Sequence, residues 1–139
     1  MTSVSILEHT NWVGTLEYYN QRDLIFKRET SSSGHPYYEK VGSKYAARFL
    51  LETKKQLSAK GQIWIDAVFL DLQIQLENKL KQNTRIESQF WKFHRFIFAS
   101  HIKAYLKQGF FLLSLKDQFL ILKTLDYRDA FFPFLYQKP

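Results

Sequence analysis

Arginine and histidine residues recur in this chain at spacings that could serve phosphate chemistry. Arg95 and His101 are six positions apart, and Arg28 and His35 are seven positions apart. A histidine can act as general acid or base near neutral pH, and an arginine can stabilise the charge of a phosphate. With six Arg and four His in the sequence, such a spacing is expected by chance about half the time. The pairs therefore do not by themselves predict a catalytic centre.

Two histidines share the apolar face of one predicted helix. His94 and His101 are seven residues apart, and a metal ion bound there would need further ligands from neighbouring helices. His9 and His35 are the only other histidines. Buried, hydrogen-bonded histidines of the core are therefore the favoured interpretation.

The carboxylates of the central segment also lack a catalytic arrangement. Asp66, Asp71 and Glu77 do not share a helix face, so they predict neither an acid/base pair nor a divalent-metal cluster. The sequence has no glycine-rich phosphate loop and no G-x-S-x-G motif. We therefore expect a protein that is not an enzyme and that has no cofactor and no metal.

Basic residues form the more informative pattern. A predicted helix over 85–108 gathers basic side chains on one face, namely Arg85, Lys92, Arg95, Lys103 and Lys107. A predicted helix over 43–60 gathers Lys44, Arg48 and Lys55 in the same way. Each Lys or Arg that displaces a counterion from a phosphate backbone adds affinity that is independent of base sequence. These eight residues are therefore the predicted nucleic-acid-binding site, and a merely solvated helix face is the alternative.

The positive charge is concentrated in two blocks. The net charge is −2 over residues 1–39, +5 over 40–60, −3 over 61–78, +7 over 79–116 and 0 over 117–139. A solvated face usually mixes signs, because oppositely charged residues one turn apart stabilise a helix. Glu87 is the one acid between Lys79 and Lys116. This distribution favours a patch that faces a polyanion.

Composition limits the class of protein. The 139 residues, of which 45% are apolar, suit one domain over 1–139. The absence of cysteine excludes disulfides, a Cys-ligated zinc site and thiol catalysis, and fits a reducing cytosol. The longest apolar run, 110–115, is much shorter than the roughly 20 residues that span a bilayer. We expect a cytoplasmic protein with no membrane partner.

Helical spacing predominates along the chain. Residues 11–29 predict either one helix or a two-stranded hairpin, and 30–36 a flexible exposed loop. Ser43 is the predicted N-cap of a helix over 43–60, with Gly61 as its C-terminal residue. The helix predicted over 62–81 is central and covered on more than one side.

Start and stop signals define the remaining helices. Thr84 and Glu87 form the Thr-x-x-Glu pattern of a helix start, and Gly109 marks the end of that helix. Ser114 predicts a further start, and Asp126 can cap a short last turn before Pro133. The predicted fold class is all-α, a compact bundle of five to six helices.

Two family resemblances follow from these residues. Arg95 to His101 resembles the Arg-x4-6-His pattern of HEPN-fold ribonucleases, although Phe96 stands where that family usually has a polar residue. The paired basic helix faces between Ser43 and Lys107 resemble the small helical subunit of CRISPR–Cas surveillance complexes. That second resemblance implies that the eight basic residues contact phosphates of single-stranded DNA or RNA. It also implies that exposed aromatic residues join neighbouring protein subunits, including several copies of the chain.

Three functions from different classes follow. The first is a non-catalytic subunit that binds a nucleic-acid backbone within a larger ribonucleoprotein complex. The second is a protein-binding adaptor, inhibitor, or immunity or assembly factor whose basic face meets an acidic partner. The third is a HEPN-like ribonuclease. Five aromatic residues could also stack on unpaired bases or belong to the core, namely Trp12, Tyr18, Tyr19, Tyr37 and Tyr38.

Overall fold

Helices account for most of the chain, as the sequence predicts. A computed structural model describes residues 12–130, and no strand occurs among them. Helix α1 spans Tyr18–Thr30, α3 Ala59–Gln82, α4 Phe90–Lys107, α5 Leu115–Thr124 and the short α6 Tyr127–Ala130. Helix α2 is a continuous run over 36–56, and short 3-10 turns lie at Ile86–Ser88 and Phe110–Leu112. The all-α bundle of five to six helices is thus confirmed.

The first described segment is a turn followed by helix α1, so the hairpin alternative for 11–29 is wrong. Gly14 has a φ of 88°, which only glycine adopts readily, and helix α1 begins four residues later at Tyr18. The loop between α1 and α2 is exposed at 31–33, but His35 at its end is buried. Pro133 lies outside the described residues.

Helix α2 starts earlier and ends earlier than predicted. Its run over 36–56 contains two π-helical segments, Tyr38–Gly42 and Arg48–Thr53, in which the hydrogen bonds span one residue more than in an α-helix. Ser43 therefore lies inside the helix and donates a side-chain hydrogen bond to Asn20 at 2.6 Å. Its predicted capping role is wrong.

The boundary between α2 and α3 corrects the prediction for Gly61. Ser58 is the N-cap of α3, and its side chain accepts a hydrogen bond from the Gly61 N–H at 3.1 Å. Gly61 thus lies in the first turn of α3 and does not end α2. A Cβ at Gly61 would lie 2.6 Å from Oδ2 of Asp117 on α5. This glycine is required because α5 approaches α3 so closely there.

Glu87 does not cap α4, which begins only at Phe90. Thr84 is exposed and precedes a 3-10 turn, so the predicted capping pair is wrong. The other three signals are confirmed. Gly109 follows α4 with a φ of 87°, and Ser114 Oγ accepts from the Asp117 N–H at 3.1 Å. Asp126 Oδ1 accepts from the Arg128 N–H at 3.1 Å at the start of α6.

Helix α3 is covered by other elements over only part of its circumference. Trp64, Ile65 and Leu76 are buried in the core, whereas Leu70 and Ile74 are partly exposed. Covering on more than one side is therefore confirmed at Trp64 and wrong at the other two positions. The core adds a dense aromatic group from α1, α2 and α4, in which the described members are Tyr18, Tyr19, Tyr37, Tyr38 and Phe93. The four tyrosines are therefore core residues and not base-stacking candidates.

Candidate nucleic-acid interface

Helix α4 carries an open basic surface. Lys92, Arg95, Lys103 and Lys107 are exposed along it, and helical geometry places three of them within about 60° of one another. Arg85 is also exposed, but it lies before the 3-10 turn and not on α4. The four residues on α4, hereafter the α4 basic face, have no carboxylate within ion-pair distance among the described residues, and neither has Arg85. Their charge is therefore available to an external anion.

The acid closest in sequence to the α4 basic face is turned away from it. The Glu87 carboxylate is largely buried and accepts hydrogen bonds from the Tyr38 hydroxyl at 2.6 Å and from Arg22 Nε at 3.3 Å. Burial raises the pKa of Glu87, while the neighbouring Arg22 guanidinium opposes that shift. The side chain thus bridges α1, α2 and the segment before α4 and does not neutralise the surface.

Arg22 is the buried cation of this polar centre. Its Nη1 lies 3.4 Å from Glu77 Oε2, and its side chain is 4% exposed. The Tyr18 hydroxyl donates to the same Glu77 oxygen at 2.6 Å. A buried carboxylate is tolerated when hydrogen bonds and an opposite charge replace its water. The centre therefore fixes α1 against α3.

The predicted basic face of α2 is mostly engaged inside the molecule. Lys44 Nζ lies 2.9 Å from Asp129 Oδ2 and 4.0 Å from Asp126 Oδ2. Arg48 Nη1 donates to the Thr124 carbonyl at 3.4 Å, and its guanidinium lies over the Tyr45 ring. These contacts join α2 to the end of α5 and to α6. Lys55 remains exposed.

Arg95 and His101, the pair six positions apart, lie in different environments. Arg95 is exposed on the α4 basic face, whereas His101 is half-buried, and its Nδ1 lies 2.8 Å from the Ile97 carbonyl. Burial lowers the pKa of His101. His94 is buried, with Nδ1 2.9 Å from the Phe90 carbonyl. Both histidines lie on the apolar side of the helix, and for His94, which is buried and hydrogen-bonded, the core interpretation is confirmed.

Arg28 and His35, the pair seven positions apart, also lie in different environments. Arg28 is exposed on α1, but His35 is buried, and its Nε2–H donates to the Glu87 carbonyl at 2.9 Å. Its Nδ1 accepts from the Tyr37 N–H at 3.2 Å. Both ring nitrogens of His35 therefore hold the loop to the core. No group of three metal-ligating side chains occurs in the part of the chain that the structure describes.

Sequence patterns did not predict an apolar groove of about 640 Å³ between the helices. Its walls come mainly from α2, α3 and α4, and Phe111 and Leu122 lie at one edge of it. The rest of the described lining includes Phe49, Leu72, Ile97, His101 and Tyr105. Phe98 of α4 also lines the edge of the groove and is 66% exposed. Helical spacing identifies the apolar side of α4 but not whether another element covers it.

None of the described helices is both long enough and apolar enough to cross a membrane. No family model, curated protein or solved structure matches this chain.

Proposed function

We propose that the protein binds the backbone of single-stranded nucleic acid through the α4 basic face, without base specificity and without catalysis. The observation that carries this proposal is the inward orientation of Glu87. It leaves the exposed surface of the most basic block, residues 79–116, without its one acidic side chain. Seven of the eight basic residues of that block are exposed. A face that binds phosphates needs a positive electrostatic potential that no neighbouring acid cancels.

The length of the α4 basic face suits several phosphates. Lys92 and Lys107 are separated by about 22 Å along the helix axis at 1.5 Å per residue. Several nucleotides of one strand cover that distance, since successive phosphates repeat along the backbone. Lys55 remains available to extend the track, whereas Lys44 and Arg48 would first have to release their internal partners.

Salt dependence of binding tests the proposal. Each phosphate contact on a single strand contributes about −0.7 to the slope of log affinity against log salt. A variant with Lys92→Ala, Lys103→Ala and Lys107→Ala should therefore bind single-stranded oligonucleotides of unrelated sequence more weakly. The slope of log affinity against log salt should also be flatter by about 2. The measurement is fluorescence anisotropy with several unrelated single-stranded DNA and RNA oligonucleotides across a salt series.

A matched control separates the site from net charge. Lys27→Ala, Lys40→Ala and Lys54→Ala remove the same number of charges from α1 and α2, and this variant should keep most of the slope. Circular dichroism must show unchanged helicity in both variants. If the α4 variant retains the wild-type affinity and slope, the α4 basic face is only solvated, and the proposal fails.

A protein-binding adaptor is the second candidate, favoured by the apolar groove between α2, α3 and α4. Such a groove could also receive a neighbouring subunit if the protein acts in a larger cytoplasmic ribonucleoprotein complex. For the nucleic-acid-binding function, we also propose that this complex is of the CRISPR effector type. The nuclease alternative requires cleavage of RNA by the purified protein that is lost in a folded His101→Ala variant.

A further inference from the structure

The outward face of α5 is apolar, and nucleic-acid binding by the α4 basic face does not explain it. Leu115, Phe119 and Leu122 follow one another at four and three residues, so they share one side of the helix. They are 83%, 63% and 55% exposed, whereas Asp117 and Ile121 on the opposite side are buried. Helix α5 therefore packs against the core through the side that carries Asp117 and Ile121, and its opposite, exposed side is apolar.

The turn before α5 extends this surface. Phe111 and Leu112 lie in the 3-10 turn Phe110–Leu112 and are 72% and 75% exposed. We call the five residues Phe111, Leu112, Leu115, Phe119 and Leu122 the α5 apolar surface, which adjoins the apolar groove because Phe111 and Leu122 also line the groove's edge. Isolated exposed leucines are common, but five large apolar side chains on adjoining elements indicate an interaction site.

Lysines surround the α5 apolar surface. Lys60 Nζ donates to the Leu112 carbonyl at 3.0 Å, and Lys123 Nζ lies 6.0 Å from the centre of the Phe119 ring. Lys116 is exposed next to Leu115. The one acid within α5, Asp117, is buried, where its carboxylate accepts hydrogen bonds from the Ser58 N–H and hydroxyl. The exposed charged side chains beside the apolar surface are thus lysines, and the nearby Asp126 is only partly exposed, with its Oδ2 4.0 Å from Lys44 Nζ.

We propose that the α5 apolar surface inserts into the interfacial region of an anionic lipid bilayer, with Lys60, Lys116 and Lys123 against the lipid headgroups. An apolar helix side flanked by lysines is the arrangement that lies in the plane of such an interface. Aliphatic side chains such as Leu112 and Leu115 do not stack on bases, so nucleic acid is not the favoured occupant. Symmetric pairing with a second copy would bring like charges together, which opposes it.

This proposal departs from the sequence-based expectation of no membrane partner. That expectation rested on the absence of an apolar run long enough to span a bilayer. Interfacial binding needs no such run, because the apolar side chains are gathered by folding from a turn and one side of a short helix.

Vesicle binding tests the proposal. The full chain should cosediment with vesicles of phosphatidylcholine and phosphatidylserine, and much less with phosphatidylcholine alone. Lys116→Ala and Lys123→Ala should each weaken binding to the anionic vesicles by about fivefold. Leu112→Ser, Leu115→Ser and Phe119→Ser together should weaken it by tenfold or more, while the same variant keeps the wild-type affinity for single-stranded oligonucleotides.

A matched variant controls for general loss of exposed apolar groups. Leu24→Ser, Leu70→Ser and Ile74→Ser replace partly exposed residues of α1 and α3 and should leave vesicle binding unchanged. A Phe119→Trp variant should show a fluorescence blue shift with anionic vesicles and quenching by brominated lipid, beyond any change in the wild-type protein. Binding without that quenching would overturn insertion. Absence of vesicle binding, or dissociation of a dimer by the α5 substitutions, would also overturn the proposal, the latter in favour of a second copy.

Discussion

His35 is a buried histidine whose two ring nitrogens are both engaged, one with the Tyr37 N–H and one with the Glu87 carbonyl. Its own backbone N–H donates to Asp23 at 2.6 Å. Protonation of Nδ1 would place a donor opposite the Tyr37 N–H, which is itself a donor. The neutral ring is therefore the form that the fold accommodates.

The stability of the fold should depend on pH through His35. Burial lowers the pKa of His35 from 6.5 to about 4, so between these values the unfolded chain binds a proton that the folded chain does not. The free energy of unfolding should therefore fall as the pH drops from about 6.5 to 4, by up to roughly 3 kcal/mol. In urea denaturation across this range, the free energy of unfolding of His35→Gln should depend less on pH than that of the wild-type protein. An NMR titration midpoint of His35 at or above 6.5 would contradict this.

Gly61 gives a second prediction at the scale of one residue. In an ordinary helix position, Gly→Ala stabilises by about 1 kcal/mol. Here the new Cβ would lie 2.6 Å from Asp117 Oδ2, so Gly61→Ala should destabilise by about 1–3 kcal/mol. In an Asp117→Ala background the same change should cost less, because of the three nearest contacts only the one with Leu57 Cβ at 3.0 Å remains. The four variants form a double-mutant cycle by urea denaturation, and stabilisation of the wild-type protein by Gly61→Ala would refute the argument.

Side-chain environments explain what the sequence could predict at this scale. The exposure of Lys92, Lys103 and Lys107 follows from their spacing opposite an apolar helix side, and the structure agrees. The fate of Lys44 does not follow from spacing, because its partner Asp129 is 85 residues away. Glu87 likewise meets Tyr38 and Arg22 only in the folded chain.

At the scale of helices, capping side chains were predicted best where no tertiary partner competes. The Ser114 side chain caps α5 as its sequence pattern predicts. The Thr84 and Glu87 pattern failed because Glu87 is more strongly held by Arg22 and Tyr38 in the interior. Ser43 failed because α2 is already helical from residue 36. A local start signal thus gives the position of a helix only to within several residues.

Paired substitutions can check this assignment of caps. Ser114→Ala should destabilise the protein by about 1 kcal/mol, because it removes the acceptor of the Asp117 N–H. Thr84→Ala should change stability by less than about 0.5 kcal/mol, because Thr84 is exposed and caps no described helix. Thermal and urea denaturation of the two variants provide the comparison. Equal losses would mean that Thr84 does cap α4 in solution.

At the scale of the whole molecule, Arg22 joins elements that are distant in sequence. It belongs to α1 and contacts Glu77 of α3 and Glu87 before α4. Loss of its charge would leave two buried carboxylates without a cation. Arg22→Met should therefore destabilise the protein by about 3–5 kcal/mol.

Control substitutions make the Arg22 prediction specific. Lys54→Met removes the more exposed ion pair with Asp66 and should have an effect below about 1 kcal/mol. Adding Glu77→Gln and Glu87→Gln to Arg22→Met should recover part of the lost stability, since the unpaired charges are removed. If Arg22→Met and Lys54→Met are equally mild in urea denaturation, the buried centre does not join the helices as described.

The first π-helical segment of α2, Tyr38–Gly42, also limits how the length of this chain can vary. It accommodates one extra residue relative to α-helical turns, and one anchored side chain lies at its start and another just after its end. The Tyr38 hydroxyl contacts Glu87, and the Tyr45 hydroxyl contacts Asp129. Deleting one residue within 39–42 would return this segment to α-helical turns and keep the two anchors in register, whereas inserting one would rotate one anchor relative to the other by about 100°. Related sequences should therefore tolerate the loss of one residue within 39–42 more readily than the gain of one.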